Sequence, residues 1–251
     1  MVSHAELRAS LAGAMASGDP TLSMADRLCH ACVGLLGVDG AAISLMLDGS
    51  SQGTFGSSGG LSRQLDEFQF TFGEGPCMDA VRDRGPVFAE DITDVTETRW
   101  PVYIGSALGL GVAALFALPI SLANCYVGAL DLYRHAPGPL LGESLVGGLM
   151  AAELAALPLL DMIGTGDDLE SSGGGEPAWN QLESLSRVEV YQATGMVMTQ
   201  LGVGPAEALA RLRAHAFAQG LTASQLAWLI VERELSLESD REQTDPGGRY
   251  P

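Results

Sequence analysis

Apolar positions along the chain change period several times, and those changes mark out its elements. From Thr21 to Leu36, the residues Leu22, Leu28, Cys32, Leu35 and Leu36 recur at roughly helical spacing behind Asp19-Pro20, which predicts a helix. Ala41 to Leu47 and Gln52 to Phe55 read as strands joined across Asp48-Gly49-Ser50-Ser51, a connection suited to a hairpin. A loop holding Phe68, Phe70 and Phe72 is expected next, then a short helix opened by Pro76 and running through Val81. Gly85-Pro86 leads into a strand at Val87 to Ala89, Asp91-Ile92-Thr93-Asp94 turns the chain, and Arg99 to Leu108 reads as a helix with Pro101 near its start. Val112 to Ile120 and Tyr126 to Tyr133 are almost continuously apolar, so they are expected as central strands covered on both faces.

The second half reads differently. Leu140 to Met162 is a long apolar helix interrupted by Pro158, and residues 164–178, rich in Gly, Ser and acids, have no means of building a core and read as a flexible linker. Beyond it, Trp179 to Met198, Pro205 to Gln219 and Thr222 to Leu235 are expected as three helices. Gly204-Pro205 starts the second, Gly220 ends it, and Thr222 with Gln225 forms a capping box. Residues 1–19 and 239–251 read as tails, the latter polar and disordered. The class that follows is α+β: an antiparallel sheet with flanking helices over 20–163, then an all-α three-helix module over 179–238.

Length and composition agree with two units. The chain has 251 residues, more than the usual domain of about 100 to 200, and its 47% hydrophobic content is that of a globular chain with a core. Thirteen basic against 31 acidic residues give a net charge of −18, which would repel nucleic-acid phosphates if evenly spread. It is not evenly spread. Between Ser184 and Ser236 stand Arg187, Arg211, Arg213 and Arg233 against Glu189, Glu207, Glu232 and Glu234, so this stretch is neutral and the acidity lies elsewhere.

The start of the chain lacks the basic patch and apolar run of a secretory signal, and no uninterrupted apolar run reaches the roughly 18 residues of a membrane span, so a cytoplasmic protein is expected. Reduced thiols are therefore expected at Cys29, Cys32, Cys77 and Cys125. Cys29 and Cys32 have the spacing of a redox pair or half a zinc site, but a second ligand pair is missing, and two small apolar residues on one helical face suit a buried stripe. No metal is expected. His30, His135 and His215 are scattered, and the hydrolase and phosphate-loop motifs are missing, so the chain does not read as an enzyme.

Local motifs carry a family resemblance. Gly73-Glu74-Gly75-Pro76-Cys77, Asp91-Ile92 followed by Arg99-Trp100-Pro101, and Gly128-Ala129-Leu130-Asp131-Leu132-Tyr133 resemble the corresponding stretches of actinobacterial GAF domains, as does the order of elements. Gln192-Ala193-Thr194-Gly195-Met196-Val197-Met198, Glu207-Ala208 and Leu212-Arg213-Ala214-His215-Ala216 are similar to the ANTAR module of transcription antiterminators. The second resemblance implies RNA binding through paired hairpin loops, with Gln192, Ala193, Thr194, Gly195, Arg211, Arg213 and His215 as the candidate contacts and Ala193, Thr194, Gly195 and Arg213 on one face. Many ANTAR modules carry Lys where Thr194 stands, which removes one phosphate contact.

The first resemblance implies a sensor of an unknown signal. Cys77 at a helix start, where the dipole can lower a thiol pKa, and the aromatics Phe70, Phe72, Trp100 and Tyr103 are candidates to line a small-molecule pocket, with plain core packing as the alternative. No cofactor is named by the residues, and neither DNA nor membrane is expected as a partner. A homodimer is expected, because the stripe Leu145, Leu149, Ala152, Ala156 and a small helical module both need a partner surface. The function these readings favour is a signal-responsive RNA-binding antitermination regulator. The competing class is a sensor or scaffold whose helical module binds only protein, as the acidic charge and Thr194 would allow.

Overall fold

The computed structural model of the chain describes residues 3–47, 50–122, 125–164 and 187–237, without the side chains of 47, 50–52 and 161–164. The chain forms two compact units, residues 1–186 and 187–251. The Asp48-Gly49 part of the expected hairpin turn, the linker beyond residue 164, the start of the helix expected from Trp179 and the C-terminal tail lie outside the described residues.

The first unit contains α1 (His4–Ser17), α2 (Met24–Leu36), β1 (Gly40–Leu47), β2 (Ser50–Ser57), α3 (Gly60–Phe72), α4 (Pro76–Asp83), β3 (Val87–Ala89), α5 (Pro101–Gly109), β4 (Ala114–Leu122), β5 (Cys125–Arg134), α6 (Gly142–Leu154) and α7 (Ala156–Gly164). The five strands form one sheet in the order β2-β1-β5-β4-β3, with every neighbouring pair antiparallel. The two nearly continuous apolar runs, β4 and β5, do occupy inner positions.

Both faces of the sheet are covered, and strand alternation divides the core accordingly. On β4, Ala114, Phe116, Leu118 and Ile120 belong to one apolar cluster, together with Leu130 and Leu132 of β5 and the inner residues of α1, α2 and α6. Leu115 and Ala117 of β4 belong to the other, with Ala129 and Tyr133 of β5 and residues of α3, α4 and α5. Glycines let α6 settle tightly onto its face: a Cβ on Gly147 would stand 2.3 Å from Leu36 Cδ2, and one on Gly148 2.7 Å from Leu118 Cδ1. Cys29 and Cys32 are both fully buried in this first cluster, and burial raises both thiols, Cys32 to about 12. Both thiols fill the core beneath the sheet.

Two expectations need correction here. The N-terminal residues are not a tail: Ser3 accepts from the Glu6 amide at 3.2 Å while Glu6 Oε2 accepts from the Ser3 amide at 2.8 Å. This capping box starts α1, whose Leu7, Leu11 and Met15 are buried in the first cluster. The phenylalanine segment is not a loop. Leu61, Leu65, Phe68 and Phe72 of α3 recur at helical spacing and pack on the second cluster, with Phe68 and Phe72 stacked 5.5 Å apart. The interruption expected at Pro158 is present: the apolar stretch is two helices with Ala155 between them, because the Pro158 ring has no N–H to give and collides with the carbonyl four residues earlier. By length and composition the stretch Gly142–Leu160 could cross a membrane, and 44% of it is buried inside the unit.

The second unit contains α8 (Val188–Leu201), α9 (Pro205–Ala218) and α10 (Ala223–Val231). Val190, Ala193 and Val197 of α8 meet Ala208, Leu212 and Ala216 of α9 and Ala223, Leu226, Ala227 and Ile230 of α10 as buried residues. The expected caps are present: Gly204 precedes Pro205, and Thr222 with Gln225 closes both halves of its capping box.

Candidate functional site

A small cavity lies on the face of the sheet covered by α3, α4 and α5. At its floor, Asp131 of β5 stands in register with Ala42 of β1 and Ala117 of β4. Two alanines leave space beside the carboxyl group that larger apolar residues would fill. The room amounts to about 10 Å³ for the centre of a water-sized sphere, enough for one water-sized occupant. Its polar lining comes from Ser62, Asp66 and Gln69 of α3, Tyr103 of α5, and Asp131 and Tyr133 of β5.

The hydrogen bonds around this cavity converge on two carboxylates. Ser44 donates its hydroxyl to Asp131 Oδ2 at 2.8 Å, and Thr54 donates to Asp66 Oδ2 at 2.6 Å. The Cys77 thiol and the Gln69 amide are within hydrogen-bonding reach of Asp131. Asp131 Oδ1 is buried and accepts no hydrogen bond from the described residues. Burial, reinforced by the nearby Asp66 charge and opposed by the Ser44 hydrogen bond, pushes Asp131 from 3.8 up to about 8. At neutral pH this carboxyl holds its proton for most of the time.

The Gly-Glu-Gly-Pro-Cys segment builds one wall. Glu74 Oε1 accepts from the backbone amides of Val102 and Tyr103, at 2.8 and 2.9 Å, and so caps the first turn of α5, which brings Tyr103 to the cavity. Gly75 has a φ of +147°, and a Cβ there would stand 2.4 Å from Gln69 Oε1, so only glycine lets Gln69 approach. That oxygen accepts from the Cys77 amide at 2.8 Å, which satisfies a first-turn N–H of α4.

Of the five candidate pocket residues, Tyr103 lines the cavity. Phe70, Phe72, Cys77 and Trp100 are not part of its lining. Trp100 is packed in the second apolar cluster with its indole N–H donating to Asp79 Oδ2 at 3.0 Å, under the Arg99 guanidinium. Phe70 is buried, and Phe72 packs on the same cluster from its edge. Cys77 is 1% exposed, and burial with Asp131 and Asp66 nearby holds its thiol well above the usual range, the reverse of the lowering expected from a helix start. The helix dipole does not offset the desolvation of a thiolate in this interior.

In the second unit the candidate contacts separate. Gln192 and Gly195 are exposed on α8, but Ala193 is fully buried and Thr194 is 8% exposed, its hydroxyl donating to the Val190 carbonyl at 2.7 Å. Consecutive helical residues point about 100° apart, so Ala193, Thr194 and Gly195 cannot share one face. On α9, Arg211 is exposed and pairs with Glu207 at 2.7 Å, while Arg213 is half-buried. His215 Nε2 lies 2.7 Å from Gln219 Nε2. The surface also exposes Tyr191, Phe217 and Trp228.

Known families account for both units. Residues 22–149 match the GAF domain, just over half of the chain. The chain belongs to the GAF domain family. Residues 181–231 match the ANTAR domain. Among solved structures, the GAF domain of an Acinetobacter phosphoenolpyruvate-protein phosphotransferase aligns at 12% identity and TM-score 0.50, covering 65% of this chain and 97% of that one. The corresponding domain from Coxiella burnetii aligns at 15% identity and TM-score 0.47, over 65% and 96% of the two chains. A domain of a sensor histidine kinase from Sinorhizobium meliloti aligns at 20% identity and TM-score 0.45, over 56% and 91%. At 12% identity the likeness to the Acinetobacter domain concerns the fold alone. No curated protein matches the chain. GAF and ANTAR domains are regulatory, and together they make this a signal-transduction and transcription-regulating architecture.

The GAF site contains residues that motif reading passed over. Asp131 stood inside a motif already singled out, and its signal was available: one carboxylate in a strand otherwise apolar enough to be covered on both faces. Ser44, Asp66 and Gln69 gave no comparable signal, because β1 and α3 bring them to Asp131 from distant parts of the chain. In the ANTAR unit, Tyr191, Phe217 and Trp228 were visible as aromatics in helices but not as exposed ones.

Proposed function

We propose that this protein is a signal-responsive RNA-binding regulator acting by transcription antitermination in the cytoplasm, its GAF unit sensing a small ligand and its ANTAR unit holding paired RNA hairpin loops as a homodimer. The observation that carries this reading is the ANTAR match on a unit whose described residues balance in charge within a strongly acidic chain. An unpaired loop presents stacked or splayed bases, and exposed aromatic rings with guanidinium groups are suited to receive them. Trp228 and Tyr191, with Gln192, Gly195 and Arg211, supply such groups. The dimer stripe is reduced by the fold: Ala152 is buried, Leu145 and Ala156 pack against the core, and Leu149 is its one exposed member, with Leu157 and Leu160 exposed beyond it.

Binding of a labelled tandem-hairpin RNA, followed over a series of salt concentrations, tests this function. Saturable binding that weakens as salt rises is the expected result, since phosphate contacts release counterions. Trp228→Ala and Arg211→Ala should each weaken it by about 1–3 kcal/mol with the fold retained. No binding at low salt would favour the reading in which the helical unit contacts only protein.

A further inference from the structure

The GAF cavity holds chemistry of one sign. Its two acidic side chains, Asp66 from α3 and Asp131 from β5, are joined by no arginine or histidine in the lining. The neighbouring hydroxyls of Ser44 and Thr54 already donate to those carboxylates, and the Gln69 carbonyl oxygen is taken by the Cys77 amide. What faces the space is the buried Asp131 Oδ1, with no hydrogen bond from the described residues, which becomes a charged acceptor when the carboxyl gives up its proton. An anionic ligand would meet two carboxyl groups and no positive side chain. A neutral ligand of the usual drug-like size, in cavities of roughly 300 to 1,000 Å³, would not fit.

Size and donor count narrow the occupant further. There is room for one water-sized particle. Hard metal ions want about six or more oxygens, and a wall that includes Ala42, Leu65, Pro76 and Leu115 does not supply them. An ammonium group is close to water in size, donates several hydrogen bonds in different directions, carries the compensating charge and tolerates aromatic neighbours such as Tyr103.

We propose that the Asp66–Asp131 cavity of the GAF unit is a binding site for a small ammonium-type cation, held by a charge-assisted hydrogen bond to Asp131 Oδ1. This rests on the reading of the GAF unit as a ligand sensor and gives that ligand a chemical class. On binding, the Asp131 carboxyl releases its proton to bulk water and the carboxylate is neutralised by the cation. The titratable groups around Asp131 are Asp66 from α3, Cys77 from α4, Tyr103 from α5, Tyr133 on its own strand and, from α2, Cys29. Of these, Asp66 opposes the loss of that proton, while the cation favours it. Binding therefore tightens as pH rises toward about 8.

The test uses the full chain and its melting temperature in ammonium chloride, methylammonium chloride, sodium chloride and tetramethylammonium chloride at equal ionic strength. A rise that grows with the logarithm of concentration for ammonium, absent for sodium and for the bulky tetramethylammonium, is the expected result. A response to methylammonium as well would assign the site to the head of a primary amine; a response to ammonium alone would assign it to the free ion. Asp131→Asn should weaken the response about tenfold or more, since it removes the charged acceptor. Equal shifts with ammonium and sodium, or an undiminished response in folded Asp131→Asn, would overturn the proposal. Should that variant not fold, the comparison of cations on the parent chain decides alone. RNA binding in ammonium-free buffer separates the two readings: hairpin binding without a cation response defeats only the cation site, and a cation response that leaves hairpin binding unchanged or absent defeats only the sensor function.

Discussion

Gly195 occupies the middle of α8, where glycine is ordinarily unfavourable, and replacing it with alanine should raise stability while lowering RNA affinity. Its backbone is not among the positive-φ glycines, it is exposed, and a Cβ built there meets no atom within 4 Å. Gly195→Ala therefore introduces no clash and removes the entropic penalty of glycine in a helix, a gain of about 0.5–1 kcal/mol. In a small domain, a change of about 1 kcal/mol shifts the melting temperature by about 4–8 °C. Scanning calorimetry of the full chain should show the transition of the ANTAR unit rise by up to that amount and the GAF transition stay in place. If RNA approaches the α8 backbone at this bare position, the added methyl group holds it off, and hairpin affinity falls in the same protein whose stability has risen. Stability and binding would then move in opposite directions, which general damage to the fold cannot produce. A lowered melting temperature would refute the claim that this face of α8 is open, and unchanged RNA affinity would remove Gly195 from the interface.

Other consequences can be measured independently. Asp131 is raised to about 8, so the folded GAF unit holds a proton that the unfolded chain releases near 3.8; the stabilisation is complete below that lower value and is lost as pH climbs through about 8. Melting temperature should decline between these limits in the parent and be nearly flat in Asp131→Asn, and parallel profiles for the two would contradict the assignment. Gly147→Ala should destabilise the GAF unit by about 1–3 kcal/mol in urea titration, because its new Cβ meets buried Leu36 and Leu7. Of the four thiols only Cys125 is exposed, so native protein should consume one equivalent of a thiol reagent quickly and the other three only after denaturation. Gln69→Ala strands the buried Cys77 amide and should lower stability by about 1–3 kcal/mol, an effect absent if the α4 start is solvated in solution.

Much of the fold could be read from local patterns. Pro76, Pro101 and Pro205 each open a helix, and the apolar runs of β4 and β5 did predict their inner places in the sheet. The opening of the chain is easily dismissed as tail, yet Ser3 and Glu6 have the spacing of a capping box, a signal in the sequence for α1 that the apolar periodicity did not carry. In α3, Phe68, Phe70 and Phe72 alternate as a strand would, which hid the longer helical stripe through Leu61 and Leu65. The site was less legible for a different reason. Its geometry depends on strand register, which sets Ala42 and Ala117 beside Asp131, and on a glycine that lets Gln69 come close. Neither register nor the exposure of Thr194 and Ala193 follows from residue type: both look available for contact in the sequence, and helix packing turns them inward.

Strand β5 also works as a partition with a residue on each side. Asp131 faces the cavity, while its neighbours Leu130 and Leu132 belong to the opposite apolar cluster, where the Leu132 Cδ1 lies 3.5 Å from the point a Gly148 Cβ would occupy on α6. Planar peptide units join the three residues, so the strand cannot tilt at Asp131 without tilting beneath α6. The glycines that seat α6 leave it no cushion of flexible side chain at that point. An occupant that shifted Asp131 would therefore act on α6 through a single backbone thickness, in a layer where close packing turns a displacement of a few tenths of an ångström into a steric load.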